Sequence, residues 1–194
     1  MKKLVYHLTG VRPILFHNQR LANPLNPFAK ALKKISGKKA KTDADHMEMA
    51  KIEFHGGLYT DDEGHPIMPF DGIEAIVRDG AKKTKEGKVV QSGVFCTKDA
   101  RLEYDGPKTP DELWEEGGEE ITPYAYQTMV KVGQSKICRT RPQFKDWSAT
   151  IELSYNPDVC DDEQITKWLE VAGEQCGAYD YRPRFGRFTV EKVE

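Results

Sequence analysis

An α+β fold, with helices packed on one antiparallel sheet, is what this sequence predicts. Two kinds of periodicity carry the expectation. Residues 2–9 place Leu4, Tyr6 and Leu8 on one face, and residues 147–155 place Trp147, Ala149, Ile151, Leu153 and Tyr155 on one face. Alternation of that kind marks a half-buried strand. Between and after them, Ile73, Ile76, Val77, Gly80 and Ala81 fall at helical spacing, as do Ile165, Trp168, Leu169, Ala172 and Cys176. Such stripes mark helices with one apolar face. Two β-α-β halves sharing one antiparallel sheet make a ferredoxin-like (RRM-like) arrangement. The 194 residues read as a single domain, 1–194, with a helical insertion at about 18–55 and an acidic insertion at about 105–123.

The elements follow in order. After the first strand, Arg12-Pro13 breaks the pattern and Ile14-Leu15-Phe16 is a short apolar run. Asn23-Pro24 and Asn26-Pro27 initiate turns, a helix is expected from about Pro27 to Ile35, and Lys38-Lys39-Ala40-Lys41 reads as a basic loop. Thr42-Asp43 can cap a second helix over 44–54, which Gly56-Gly57 ends. Residues 58–60 and 66–69 read as two strands around a tight turn, and the helix beginning near 73 takes Asp71 as its cap. Segments 94–96 and 101–104 are short strands, whereas 106–123 is acidic, lacks a regular pattern and reads as an excursion from the body. Tyr124–Val132 and Lys136–Arg141 form the arms of a hairpin joined at Gly133-Gln134. Asp161-Asp162 caps the last helix, Gly177 terminates it, and a final strand is expected over about 184–193.

The net charge of −2 argues weakly against a nucleic-acid partner, but its distribution argues for one. Residues 1–42 hold ten Lys/Arg and no acid, and residues 131–145 hold Lys131, Lys136, Arg139, Arg141 and Lys145, again with no acid. Residues 99–120 hold nine acids against Arg101 and Lys108. Segregation of this kind can present a positive groove on an acidic chain. No run of 18 apolar residues exists, so no membrane partner is expected. Cys96, Cys138, Cys160 and Cys176 are too widely spaced for a zinc or redox motif, and they read as reduced thiols of a cytoplasmic protein. No cofactor and no metal is expected.

The last eighteen residues put two glycines, three arginines and four aromatic rings into a turn that runs into a strand. Glycine permits close backbone approach, arginine forks onto phosphate, and flat rings stack on bases. The alternative is a terminal hairpin whose rings fill the core.

Three segments resemble the RAMP superfamily, whose members form backbone and guide-RNA-handling subunits of CRISPR effector complexes. Residues 66–82 resemble its strand-to-helix segment, 177–188 its glycine-rich loop before the last strand, and 8–15 its first strand and turn. The C-terminal loop has fewer glycines than the family pattern, and the turn at Phe70-Asp71 lacks its small residues. The whole chain also resembles a group of uncharacterised phage and prophage proteins through His17-Asn18, residues 43–46, residues 56–59, residues 105–107, residues 139–142 and residues 182–186. If phage-encoded, the protein would act in the cytoplasm of a bacterial host.

The resemblance implies a non-catalytic binder of single-stranded RNA or DNA, assembled as a head-to-tail homo-oligomer or filament. The expected contacts are Arg139, Arg141, Arg182, Arg184 and Arg187 to phosphate, with Tyr179, Tyr181 and Phe185 stacking on bases. Lys38, Lys39 and Lys41 form a candidate electrostatic arm. Asp43, Asp45 and His46 are candidate catalytic residues of an endonuclease, metal-dependent or metal-independent, although acids in a first helical turn are explained by capping alone. A third reading is a phage factor that binds a host protein complex. No nucleophile elbow, P-loop or dinucleotide fingerprint is present.

Overall fold

The computed structural model describes residues 1–193, the side chains of Val132 and Ser135 aside. It is an α+β fold with antiparallel sheets. The main sheet has the strand order β3-β5-β8-β1-β9, with β4 also paired to β8. Its strands are β1 (Lys2–Gly10), β3 (Ile67–Met68), β4 (Val94–Phe95), β5 (Ala100–Glu103), β8 (Ser148–Tyr155) and β9 (Phe188–Lys192). The alternation read from the sequence sets the register: Leu4 faces Leu153, Tyr6 faces Ile151 and Leu8 faces Ala149. All six are buried.

Helices α3 (Phe70–Lys82) and α6 (Asp162–Val171) pack against each other, and their apolar stripes are buried. A Tyr6–Thr166 hydroxyl pair at 2.9 Å ties α6 to β1. The helices meet at Gly80, where an added Cβ would fall 1.9 Å from the Trp168 carbonyl oxygen. Helix α6 starts in a capping box between Asp161 and Gln164 and ends in a π turn over Ala172–Cys176. Gly177, at φ 72°, then reverses the chain where a Cβ would be strained.

The opposite face of the main sheet is open. It carries Lys3, His7, Glu103, Thr150, Glu152 and Glu191, with one ring, Phe95, at the edge. Lys3 and Lys98 pair with Glu152.

A second sheet has the order β2-β7-β6, from β2 (Ile14–Leu15), β6 (Ala125–Val132) and β7 (Ser135–Phe144). Helix α2 (Asp43–Gly57) packs on β7, and α1 (Pro27–Ser36) lies on α2 with no fully buried residue. Arg20 donates to the carbonyls of His55, Gly56 and Leu58, satisfying the orphan acceptors at the C-terminal end of α2.

Several elements depart from the sequence expectation. The helix α4 (Gly87–Gly93) has glycine at both ends and is too short to show a periodic stripe. Asp71 lies inside α3, where it accepts from the next residue's N–H at 2.8 Å; the N-cap is Pro69. The last strand begins at Phe188, because residues 184–187 complete the preceding loop. Residues 58–60 form no strand, only a single bridge from Thr60 to Pro66. The acidic segment is docked rather than free. It contains α5 (Pro110–Glu115), which buries Leu113 and Trp114, and the Trp114 ring lies 5.4 Å from Phe54.

Candidate nucleic-acid interface

The site is built on the loop from Gly177 to Arg187. Four of its residues hold positive φ: Gly177 (72°), Tyr179 (59°), Tyr181 (56°) and Gly186 (70°). The left-handed region costs a tyrosine roughly 1–2 kcal/mol, so tertiary contacts must hold both tyrosines there. Backbone bonds supply them. The Asp180 N–H donates to the Leu15 carbonyl at 3.0 Å, Gly186 N–H to Pro13 at 2.8 Å, and Val11 N–H to Arg187 at 2.7 Å. Ala178 N–H donates to Gly186 at 2.9 Å and closes the loop on itself. The turn after β1 and the C-terminal loop are therefore one unit.

Its side chains divide into two sets. Tyr179 turns inward, edge-on to Phe16 at 4.9 Å and 6.0 Å from Tyr59. Desolvation raises its pKa well above the ordinary value. That ring is turned away from the outward row and faces the cavity beneath the loop. Tyr181 and Phe185 stay half-buried at the surface, 6.3 Å apart, and Tyr126 of β6 extends the row at 5.0 Å from Phe185. Tyr126 was not singled out by the sequence. Only the β6–β7 pairing, which sets it opposite Arg141, brings it to the loop.

The arginines divide likewise. Arg141 is buried and donates to Asp180 at 2.8 Å. Arg139 pairs with the buried Glu53 carboxylate, which also accepts from the Thr140 N–H at 2.7 Å. These two brace β7 against the loop and α2; their primary partners are carboxylates, not solvent. Arg182 is exposed and pairs with Asp79 at 2.5 Å. Desolvation opposes ionisation of Asp79, but hydrogen bonds from Lys82 and Arg182 outweigh it and lower its pKa. Among the described residues, Arg184 and Arg187 are exposed and meet no carboxylate; Arg187 donates only to the Pro183 carbonyl at 3.0 Å.

Beneath the inward limb of the loop lies a cavity of about 410 Å³. The first turn of α3 forms one wall, and His17, Tyr59, Tyr179, Arg78 and Arg182 line the rest. Desolvation and the nearby Arg141 guanidinium lower the His17 pKa against the opposing pull of Asp180.

The remaining candidates sit elsewhere. Lys38 pairs with Asp45 at 2.5 Å, Lys41 donates to the Lys38 carbonyl at 3.0 Å, and Lys39 is exposed. Asp45 completes a capping box with Thr42, which accounts for its place in the sequence. Asp43 and His46 are exposed in the same first turn. Asp61, Glu63 and His65 lie close enough to share an ion, but Arg101 already bridges both carboxylates, at 2.7 and 2.5 Å. Asp61 also accepts from two backbone N–H groups, so the cluster closes a turn. No helix among the described residues is long and apolar enough to cross a membrane. No protein-family model matches this chain, and no curated protein matches it.

Proposed function

We propose that this protein binds single-stranded nucleic acid without catalysis, along the strip formed by Tyr126, Phe185 and Tyr181 with Arg184 and Arg187. The observation that carries the reading is three half-exposed rings in a row beside two cations that no carboxylate neutralises among the described residues. Rings of that kind accept any base on their faces, and free guanidiniums compensate phosphate. The open sheet face is the weaker choice, because it presents Glu103, Glu152 and Glu191 and one ring. Lys131 and Lys136, opposite each other near the hairpin tip, extend the positive path.

The finer architecture we propose is ferredoxin-like and RAMP-type. Support comes from strand order: the edge formed by β4 and β5, then β8, β1 and β9, with α3 and α6 as the two crossover helices. The resemblance also implies head-to-tail assembly. The exposed acids Asp111, Glu112, Glu115 and Glu116 of one copy face the exposed Lys33, Lys34 and Lys39 of the next in this proposal. Analytical centrifugation over a salt series is expected to show assembly that weakens with salt; a monomer throughout, with and without oligonucleotide, excludes it.

Fluorescence anisotropy with single-stranded DNA, single-stranded RNA and duplex tests the binding itself. Single strands are expected to bind more tightly than duplex, and Phe185→Ala and Tyr126→Ala each to weaken them by about tenfold. Equal affinity for the variants and the native protein would remove the rings from the site.

A further inference from the structure

The strip lies on the outward limb of the loop, and the 410 Å³ cavity on its inward limb is a separate space. Its volume falls within the range of small-molecule sites, roughly 300–1,000 Å³. The lining is chemically mixed. Arg78 and Arg182 supply positive charge, Asp71 and Asp180 supply carboxylates, and Tyr59 and Tyr179 supply ring surface. A simple anion would meet two carboxylates there, and a simple cation two guanidiniums. A ligand with a flat, hydrogen-bonding body and one anionic end satisfies both. We propose that this cavity binds a nucleoside 5′-phosphate, with its base against Tyr59 and Tyr179 and its phosphate between Arg78 and Arg182.

The groups needed are unspent. Arg78 makes no side-chain hydrogen bond among the described residues, and neither does the Gln19 amide that borders the base position. Arg182 uses one donor on Asp79, and a guanidinium has five. Asp180 uses one oxygen on Arg141 and has its other free to accept from a base amine. On the far side of Arg182 a shallow depression is lined by Lys82, Lys83 and Asp79. Asp79 already pairs with Lys82 and Arg182, so Lys83 is the cation there that meets no carboxylate among the described residues. A second phosphate leaving the cavity would lie there, so the site suits either a free nucleotide or the 5′-phosphorylated end of a strand.

Isothermal titration of the whole protein with AMP, GMP, CMP and UMP tests the cavity without any strand present. At least one is expected to bind with a dissociation constant below about 1 mM. Ala75→Leu fills the space, and Arg78→Gln removes the cation while leaving the packed face of α3 intact; each is expected to weaken binding by about tenfold. Pentanucleotides with a 5′-phosphate or a 5′-hydroxyl distinguish the sources. A preference for the phosphorylated end that Arg78→Gln abolishes assigns the strand terminus; mononucleotide binding without that preference assigns the free nucleotide. No mononucleotide binding together with no 5′-phosphate preference overturns the proposal. So does mononucleotide binding that both substitutions leave unchanged. Loss of pentanucleotide affinity in Phe185→Ala plays no part in that decision, so failure of the strip and failure of the cavity are read separately.

Discussion

Asp180 shows how one carboxylate shapes both surfaces of the loop. Its backbone N–H holds the loop to Leu15, and its side chain neutralises the buried Arg141. Asp180→Ala leaves that guanidinium enclosed without a carboxylate, with only the Thr140 carbonyl at 3.4 Å to accept from it. The expected loss is on the order of 2 kcal/mol, below the figure for a fully buried pair because Asp180 is partly exposed. Urea denaturation measures it, and a loss under about 0.5 kcal/mol would place the pair in the weak surface class. His17 reports the same neighbourhood through pH. Its folded pKa lies below the unfolded value of about 6.5, so the unfolded chain binds the proton more readily. Stability from this group is complete above about pH 6.5 and is lost as pH falls through the lowered folded value. The difference in stability between native protein and His17→Gln is therefore expected to change between pH 7 and pH 5, in the direction that penalises the native protein at pH 5. A pH-independent difference would contradict the assignment. Neither effect was legible beforehand, since Arg141 and Asp180 lie 39 residues apart and meet only because β2 pairs with β7 while its Leu15 carbonyl holds the Asp180 N–H.

At the scale of elements, the crossing of α3 and α6 decides the sign of a substitution. Alanine normally stabilises a helix over glycine by about 1 kcal/mol. At Gly80 the added Cβ meets the Trp168 carbonyl oxygen, which is backbone and cannot swing away. Gly80→Ala is expected to destabilise by about 2 kcal/mol in thermal unfolding; stabilisation would show that the helices do not approach so closely. Trp114→Ala tests the acidic segment. Removing a ring packed on Phe54 is expected to cost about 3 kcal/mol and to expose residues 105–121 to limited proteolysis. Unchanged cleavage would return the segment to the status of a free excursion. The sequence revealed β1, β8, α6 and the β6–β7 hairpin because each has either clean alternation or explicit caps and turns. It concealed α4, whose seven residues give no periodic stripe. It also concealed the docking of α5, since Leu113 and Trp114 stand inside an acidic run and find their apolar partners in α2.

Across the whole molecule, charge and topology act together. A net charge of −2 conceals a segment rich in carboxylates, residues 99–120, and five arginines on β7 and the C-terminal loop that serve three different tasks. Arg139 and Arg141 brace the frame, Arg182 borders the cavity, and Arg184 and Arg187 remain toward solvent. Counting cations along the chain found the region but not this division of labour, which depends on Glu53, Asp79 and Asp180 arriving from α2, α3 and the loop itself. The general α+β plan was legible because strand and helix periods alternate along the chain. The ring row was only half legible, because Tyr126 reaches Phe185 through tertiary pairing. The most direct measurement is the salt dependence of single-stranded oligonucleotide affinity for the native protein and for Arg184→Ala/Arg187→Ala. Each lost phosphate contact lowers the slope of log affinity against log salt by about 0.7 on a single strand. The double variant is expected to bind more weakly and to lose about 1.4 from that slope. A native protein that binds no single strand, or a double variant with the native slope, would contradict the account.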